Sequence, residues 1–128
     1  NLPDLGGAPS SKAQAASTQT LINGMVNAFN IALRVGIDGL ESKVLYVDLF
    51  TASQDQMLNP AKYGISNTTK AACGPNALGT TSLACNGTNV IAGDVSKYLF
   101  ADDVHPTPFG YSLMSNFVAE QMVARGWL

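Results

Sequence analysis

The chain is poor in charge, in cysteine and above all in histidine. Of its 128 residues 12% are charged, two are cysteine and one is histidine. Each scarcity excludes something. The seven Lys/Arg are scattered singly and the net charge is −2, which argues against a surface for nucleic acid or an anionic membrane. No apolar run reaches the roughly 18–20 residues of a transmembrane helix, and no basic-then-apolar stretch reads as a signal peptide. The chain opens on Asn1, so the expectation is that an upstream segment has been removed. A zinc site would need short-spaced cysteine pairs with further ligands, and Cys73 and Cys85 do not form a Cys-x-x-Cys motif.

What is present suits one globular domain. Hydrophobic residues make up 46%, enough for a core in a chain of this length. Polarity comes from Asn, Ser, Thr and Gly rather than from charge, a balance common in secreted proteins. Cys73 and Cys85 stand twelve positions apart in a Gly/Asn/Thr-rich stretch. They read as a disulfide closing a surface loop in an oxidising compartment, with two free thiols as the alternative. Such a bridge contributes on the order of 2–3 kcal/mol by loop closure.

Along the chain, Asn1–Pro9 is turn chemistry throughout. A helix capped by Ser10 or Ser11 is predicted to run to Gly36 or Gly39, with Leu21, Ile22, Met25, Val26, Phe29 and Leu33 at helical spacing. Lys43–Phe50 is a β-branched and aromatic run that predicts a strand buried on both faces of a parallel sheet. A short helix follows, stopped at Asn59-Pro60. Residues 63–97 are predicted to be a long loop tied by the cysteines, and Tyr98-Leu99-Phe100 a brief strand. Thr107 then caps a last helix with Pro108 at its first position. Met114, Phe117, Val118, Met122 and Trp127 give that helix its apolar side, and the four methionines read as core filler. Helices alternating with buried strands imply an α/β/α sandwich. Two strands cannot cover these helical faces, so the fold is expected to be incomplete on its N-terminal side.

The lone histidine stands at Asp102-Asp103-Val104-His105-Pro106-Thr107. Residues three apart across a turn can share a face, so Asp102 can hold His105 Nδ1–H and leave Nε2 free to take a proton from a hydroxyl. Pro106 keeps His105 out of the helical region, on a loop at a strand end, where open α/β sheets place their sites. An isolated Asp-x-x-His reads first as a surface turn, with the carboxylate merely capping it.

That block, following Tyr98-Leu99-Phe100, resembles the final motif of the GDSL/SGNH hydrolases, esterases and lipases that end in Asp-x-x-His, often with Pro-Thr and a glycine-containing helix start. Asn1-Leu-Pro-Asp-Leu-Gly, Phe29-Asn30 with Leu33, and Asn59-Pro60-Ala61-Lys62-Tyr63-Gly64-Ile65 leading to Cys73 are similar to its bacterial phospholipase-like and autotransporter-type branch. The resemblance implies His105 as general base and Asp102 as its orienter, no metal or organic cofactor, and an ester or lipid substrate. It implies the C-terminal part of a three-layer α/β/α sandwich with a mostly parallel sheet, residues 1–128 being the C-terminal segment of one SGNH-hydrolase-like domain. Secretion, or a bacterial periplasmic or cell-surface location, goes with it. Asp103 falls where the family often has a small residue, and Ala101 replaces an aromatic.

Part of the family pattern is missing. There is no Gly-Asp-Ser, and none of the ten serines sits in such an elbow. Asn86-Gly87-Thr88-Asn89-Val90 only superficially matches Gly-x-Asn-Asp, lies 16 residues before His105 at Asn89, and reads as a turn. The nucleophile and oxyanion hole are therefore expected from an N-terminal segment of the same protein acting as partner, this chain being inactive alone. Two other readings stay open. One is a non-catalytic secreted module binding a ligand through its disulfide-tied loop. The other is a self-contained hydrolase using Ser53 or Ser96. Asn67-Thr68-Thr69 and Asn86-Gly87-Thr88 also match the glycosylation sequon, a frequent chance match in such loops.

Overall fold

Local capping chemistry shapes most of the helices in the computed structural model, which describes residues 1–128. Asp4 caps a 3-10 turn at Leu5–Gly7, and Pro9 opens the single-turn helix α1, Pro9–Lys12. The predicted continuous helix is broken here: α2 runs Ala16–Gly36, after Ala15 in an extended conformation (ψ 150°). The cause is tertiary. Buried Ser11 donates its hydroxyl to Leu5 O at 2.7 Å, and Ser10 N–H donates to Asp103 O at 3.0 Å, which pins α1 to the turn before it and to the loop after Phe100.

Helix α2 buries Val26 and Asn30. Asn30 accepts from Leu2 N–H at 2.9 Å and returns a bond to Leu2 O at 3.0 Å, pairing with main chain as a strand would. Leu21, Met25 and Phe29, on the predicted apolar face, are more than half exposed, so Met25 is not core filler. The helix has its amphipathic pattern without anything over much of it.

Residues 44–48 form no strand. β-branched and aromatic residues favour a pleated surface only where a neighbour completes the ladder, and no other strand lies alongside this run. Some of its polar groups are met from within a few residues and some from the distant Asn1. Leu49 N–H returns to Val47 O, and Asn1 contacts Val47 O, the Tyr46 hydroxyl and Asp48. Asp48 then caps α3, Leu49–Leu58, which ends at Asn59 before a 3-10 turn over Pro60–Tyr63. Gly64 closes that turn with φ +68°, a left-handed conformation that costs glycine nothing.

The stretch read as loop contains a strand. β1, Asn67–Ala71, pairs in parallel with β2, Tyr98–Phe100, with Asn67 opposite Tyr98, Ala71 opposite Phe100 and an irregularity between them. The ladder continues past β1 as Ala72 N–H to Phe100 O and Cys73 N–H to Ala101 O. Cys73 and Cys85 form the disulfide, with Cα atoms 5.9 Å apart. The chain is thus mixed α/β with a two-stranded parallel sheet.

Helix α4, Pro108–Arg125, starts as predicted: Thr107 Oγ1 accepts from Gly110 N–H at 3.0 Å and donates to Tyr98 O at 2.6 Å, with Pro108 first in the helix. Gly126 (φ +76°) ends it, and Trp127 lies beyond the helix with its N–H on Met122 O. Ala8, Ile65, Leu99 and Phe100 form the core, with Met57, Tyr63, Phe109 and Leu113 packed against them. β2 is therefore the buried element, and the loop leading out of it is held from several sides.

Candidate active site

Beyond Phe100 the chain doubles back on itself within a few residues. Ala101 N–H donates to His105 O at 2.8 Å, Thr107 N–H to Leu99 O at 2.9 Å, and Phe100 and Pro106 form an antiparallel bridge. The fold of this loop depends on Asp102. Its Oδ1 accepts the main-chain N–H groups of Val104 at 2.9 Å and His105 at 2.7 Å, the local pattern of an Asx turn.

The same carboxylate faces the imidazole. His105 Nδ1 lies 2.9 Å from Asp102 Oδ2 and 3.1 Å from Oδ1. An ionised carboxylate only accepts, so in the neutral imidazole the ring proton sits on Nδ1 and the Nε2 lone pair is left free. Asp102 is buried, its side chain 5% exposed, whereas that of His105 is 54% exposed. Burial opposes the charge on Asp102. The donors from His105, Ser82 and Val104 outweigh it and hold the carboxyl well below its ordinary value. The pair is a fixed carboxylate supporting an accessible imidazole, an arrangement that can accept a proton at Nε2 and stabilise the resulting cation.

Asp103, next in sequence, is exposed, and its carbonyl receives Ser10 N–H. A cavity of about 220 Å³ opens beside His105, with Leu5, Leu49, Met57, Phe100, Tyr111 and Met114 among its walls. Ser53 also lines it, but its hydroxyl accepts Asp4 N–H at 2.8 Å and donates to Phe50 O at 2.9 Å. Ser96 is exposed in the loop before β2. No serine hydroxyl of the chain is hydrogen-bonded to His105, whose ring bonds go to Asp102. Asn86, in the segment that superficially matched Gly-x-Asn-Asp, accepts from Thr88 N–H and hydroxyl in a surface turn. No three His, Cys, Asp or Glu side chains converge to hold a metal ion, and no helix is long and apolar enough to cross a membrane.

One contact in the site has no local signal in the sequence. Ser82 N–H, within the disulfide-closed segment, donates to Asp102 Oδ2 at 2.7 Å. Only its placement between the cysteines marks it out.

No family model matches the chain. The chain is similar to GDSL esterase/lipases of Arabidopsis thaliana. One is 36% identical over 87 residues, covering 68% of this chain and 23% of the relative. A second is 38% identical over 81 residues, covering 63% and 22%, and a third 38% over 87 residues, covering 68% and 23%. The chain thus spans less than a quarter of the length of these curated relatives.

Proposed function

We propose that the chain is the C-terminal part of a GDSL/SGNH-type serine esterase or lipase, contributing the base and its orienter to a Ser-His-Asp triad. The observation that carries this reading is the buried Asp102 carboxylate on His105 Nδ1 with Nε2 left free. Similarity to plant GDSL esterase/lipases supports ester hydrolysis in general. The reading rests on that family and not on a branch within it.

In this mechanism a serine hydroxyl supplied by the upstream segment attacks an ester carbonyl. His105 Nε2 takes the serine proton as the C–O bond forms, and Asp102 stabilises the imidazolium. The proton passes to the leaving alkoxide as the tetrahedral species collapses to an acyl-serine. Water then repeats the cycle, with His105 again accepting and returning a proton, and a carboxylic acid is released. Donors for the oxyanion come from the same upstream segment.

Two further features fit a domain completed by that segment. The Leu21, Met25 and Phe29 face of α2 is uncovered, and residues 44–48 have strand composition without a ladder. Further parallel strands would cover the first and pair with the second, making the three-layer sandwich. The disulfide fits a secreted, periplasmic or cell-surface setting.

A serine-directed fluorophosphonate tests the assignment in the assembled protein. The upstream polypeptide is expected to take the label; a labelled serine in this chain would overturn the division of roles. His105→Ala is expected to abolish ester hydrolysis, and retained activity would reject the catalytic role of His105.

A further inference from the structure

The two oxygens of Asp102 are held in different ways. Oδ1 is satisfied by Val104 and His105 N–H, two and three residues along the same turn. Any aspartate in such a turn makes those contacts, and they leave the carboxylate able to swing about its last torsion. Oδ2, the oxygen nearer to His105 Nδ1, has one main-chain donor, Ser82 N–H, from twenty positions earlier in the chain. A rigid donor on the second oxygen sets the plane of the carboxylate, and through it the plane of the ring.

The segment carrying Ser82 is tied at both ends. Cys73 N–H donates to Ala101 O at 2.9 Å, so that cysteine lies against the residue preceding Asp102. Cys85 N–H donates to Ser82 O at 3.0 Å, closing the 3-10 turn Ser82–Ala84 that presents the donor. The disulfide joins these two cysteines. Within the closed loop, Asn76 Nδ2 donates to Thr81 O at 2.7 Å and shortens the free path to Ser82.

We propose that the Cys73–Cys85 crosslink and the main-chain N–H of Ser82 form one positioning device, which fixes the Asp102 carboxylate so that it aims His105. Ser82 acts through Asp102 and is a positioning residue. With the crosslink open, the Ser82 turn is held to the sheet by hydrogen bonds alone, Asn89 Nδ2 to Ala84 O and Gly74 N–H to Asn89 O among them, and keeping its N–H on Oδ2 must overcome more of the entropy of ordering that segment. The proposal deepens the esterase reading and rests on it for its catalytic meaning, while the geometry stands independently.

The local backbone allows a clean test. Ser82 is the first residue of its turn, and Thr81 before it is extended (φ −73°, ψ 146°). A proline is accommodated at such a position and, compared with alanine there, removes the N–H. Ser82→Pro is therefore compared with Ser82→Ala, which keeps the donor, and with the Cys73→Ser/Cys85→Ser pair, which opens the loop without touching Ser82. Because this chain has one histidine, isotope labelling confined to this chain within the assembled protein makes the ring Nδ1–H resonance in NMR spectra unambiguous, and the Asp102 carboxyl carbon is followed in the same samples as pH is lowered.

Ser82→Pro and the double serine variant are expected to broaden or lose the hydrogen-bonded Nδ1–H signal. They should also raise the proton affinity of Asp102 roughly tenfold or more, the effect of removing a hydrogen bond to a charged group. Ser82→Ala loses the hydroxyl, which also lowers the Asp102 carboxyl, but keeps the N–H, so it should retain the Nδ1–H signal and raise the proton affinity of Asp102 less than Ser82→Pro does. A Ser82→Pro variant indistinguishable from Ser82→Ala would overturn the positioning role of the N–H. A double serine variant indistinguishable from wild type would overturn the role of the crosslink. These readouts need no ester turnover, so their failure is distinct from retained activity in His105→Ala, which bears on the esterase reading alone.

Discussion

Gly110 is where the helix after the motif touches the strand before it, and replacing it with alanine has a consequence whose sign the structure determines. A Cβ on Gly110 would stand 2.6 Å from Leu99 O and 2.9 Å from Pro106 Cβ, both closer than the 3.0 Å that real Cβ atoms respect. Neither obstacle is the end of a flexible side chain. Leu99 O is held by Thr107 N–H at 2.9 Å, and Pro106 is clamped between Phe100 and the helix start. The first turn of α4 must therefore move a few tenths of an ångström off β2. Overpacking of this kind costs about 1–3 kcal/mol, and weakening the Thr107–Leu99 bond adds about 0.5–1.5 kcal/mol. The better helix propensity of alanine offsets up to about 1 kcal/mol. Gly110→Ala should thus destabilise the chain by about 0.5–4.5 kcal/mol. Gly24 is the control: it is inside α2 with nothing within 4 Å of its would-be Cβ, so Gly24→Ala should stabilise by about 0.5–1 kcal/mol. Urea denaturation followed by far-ultraviolet circular dichroism measures both. A Gly110→Ala variant that unfolds at or above the wild-type midpoint would refute the close packing of α4 on β2. The displacement also falls beside His105, so the Nδ1–H resonance should weaken in the same variant.

Two more expectations concern the same corner of the molecule. Thr107 is buried and its hydroxyl both caps α4 and satisfies Tyr98 O, so Thr107→Val should cost about 2 kcal/mol while Thr107→Ser keeps most of that stability; equal thermal midpoints for the two variants would contradict the cap. Asp102, despite burial, is held below its ordinary value of 3.8 by its hydrogen bonds. A carboxyl depressed in the folded state contributes its stability above the unfolded value and loses it as pH falls through the folded one. Wild type should therefore lose stability progressively below about pH 4, and Asp102→Asn, weaker at neutral pH, should show a shallower acid slope; parallel slopes in acid titrations monitored by circular dichroism would exclude Asp102 as a contributor. Asp55, lowered to about 2 by Lys62, Tyr63 and Asn59, adds to the same acid sensitivity but is exposed to solvent screening.

The parts of the fold legible in the sequence are those whose physics is complete within a few residues. Thr107-Pro108 signals a helix start because one hydroxyl meets an N–H three residues on. Asp102 and His105 come together across a short turn whose N–H groups the same carboxylate accepts, and Pro106 keeps the histidine out of helix. The two cysteines pair because the loop between them brings them within bridging distance. The break between α1 and α2 had no such signal, since it depends on Ser11 reaching Leu5 and Ser10 reaching Asp103.

Strands divide along the same line. Asn67-Thr68-Thr69-Lys70-Ala71 has no apolar alternation, yet it is a strand because Tyr98-Leu99-Phe100 lies beside it; Val44-Leu45-Tyr46-Val47 has the composition of one and is not, because no strand lies beside it. A ladder is a property of two segments, and composition reports only one. The sequence by itself determined the motif, the Thr107 cap and the helical periodicities, and favoured a crosslink between its two cysteines. Tertiary structure decided which strands exist, and that the disulfide-bound segment delivers Ser82 to the second oxygen of Asp102. Contacts between distant segments depend on where the chain returns, and that is settled by burial and pairing over the whole molecule.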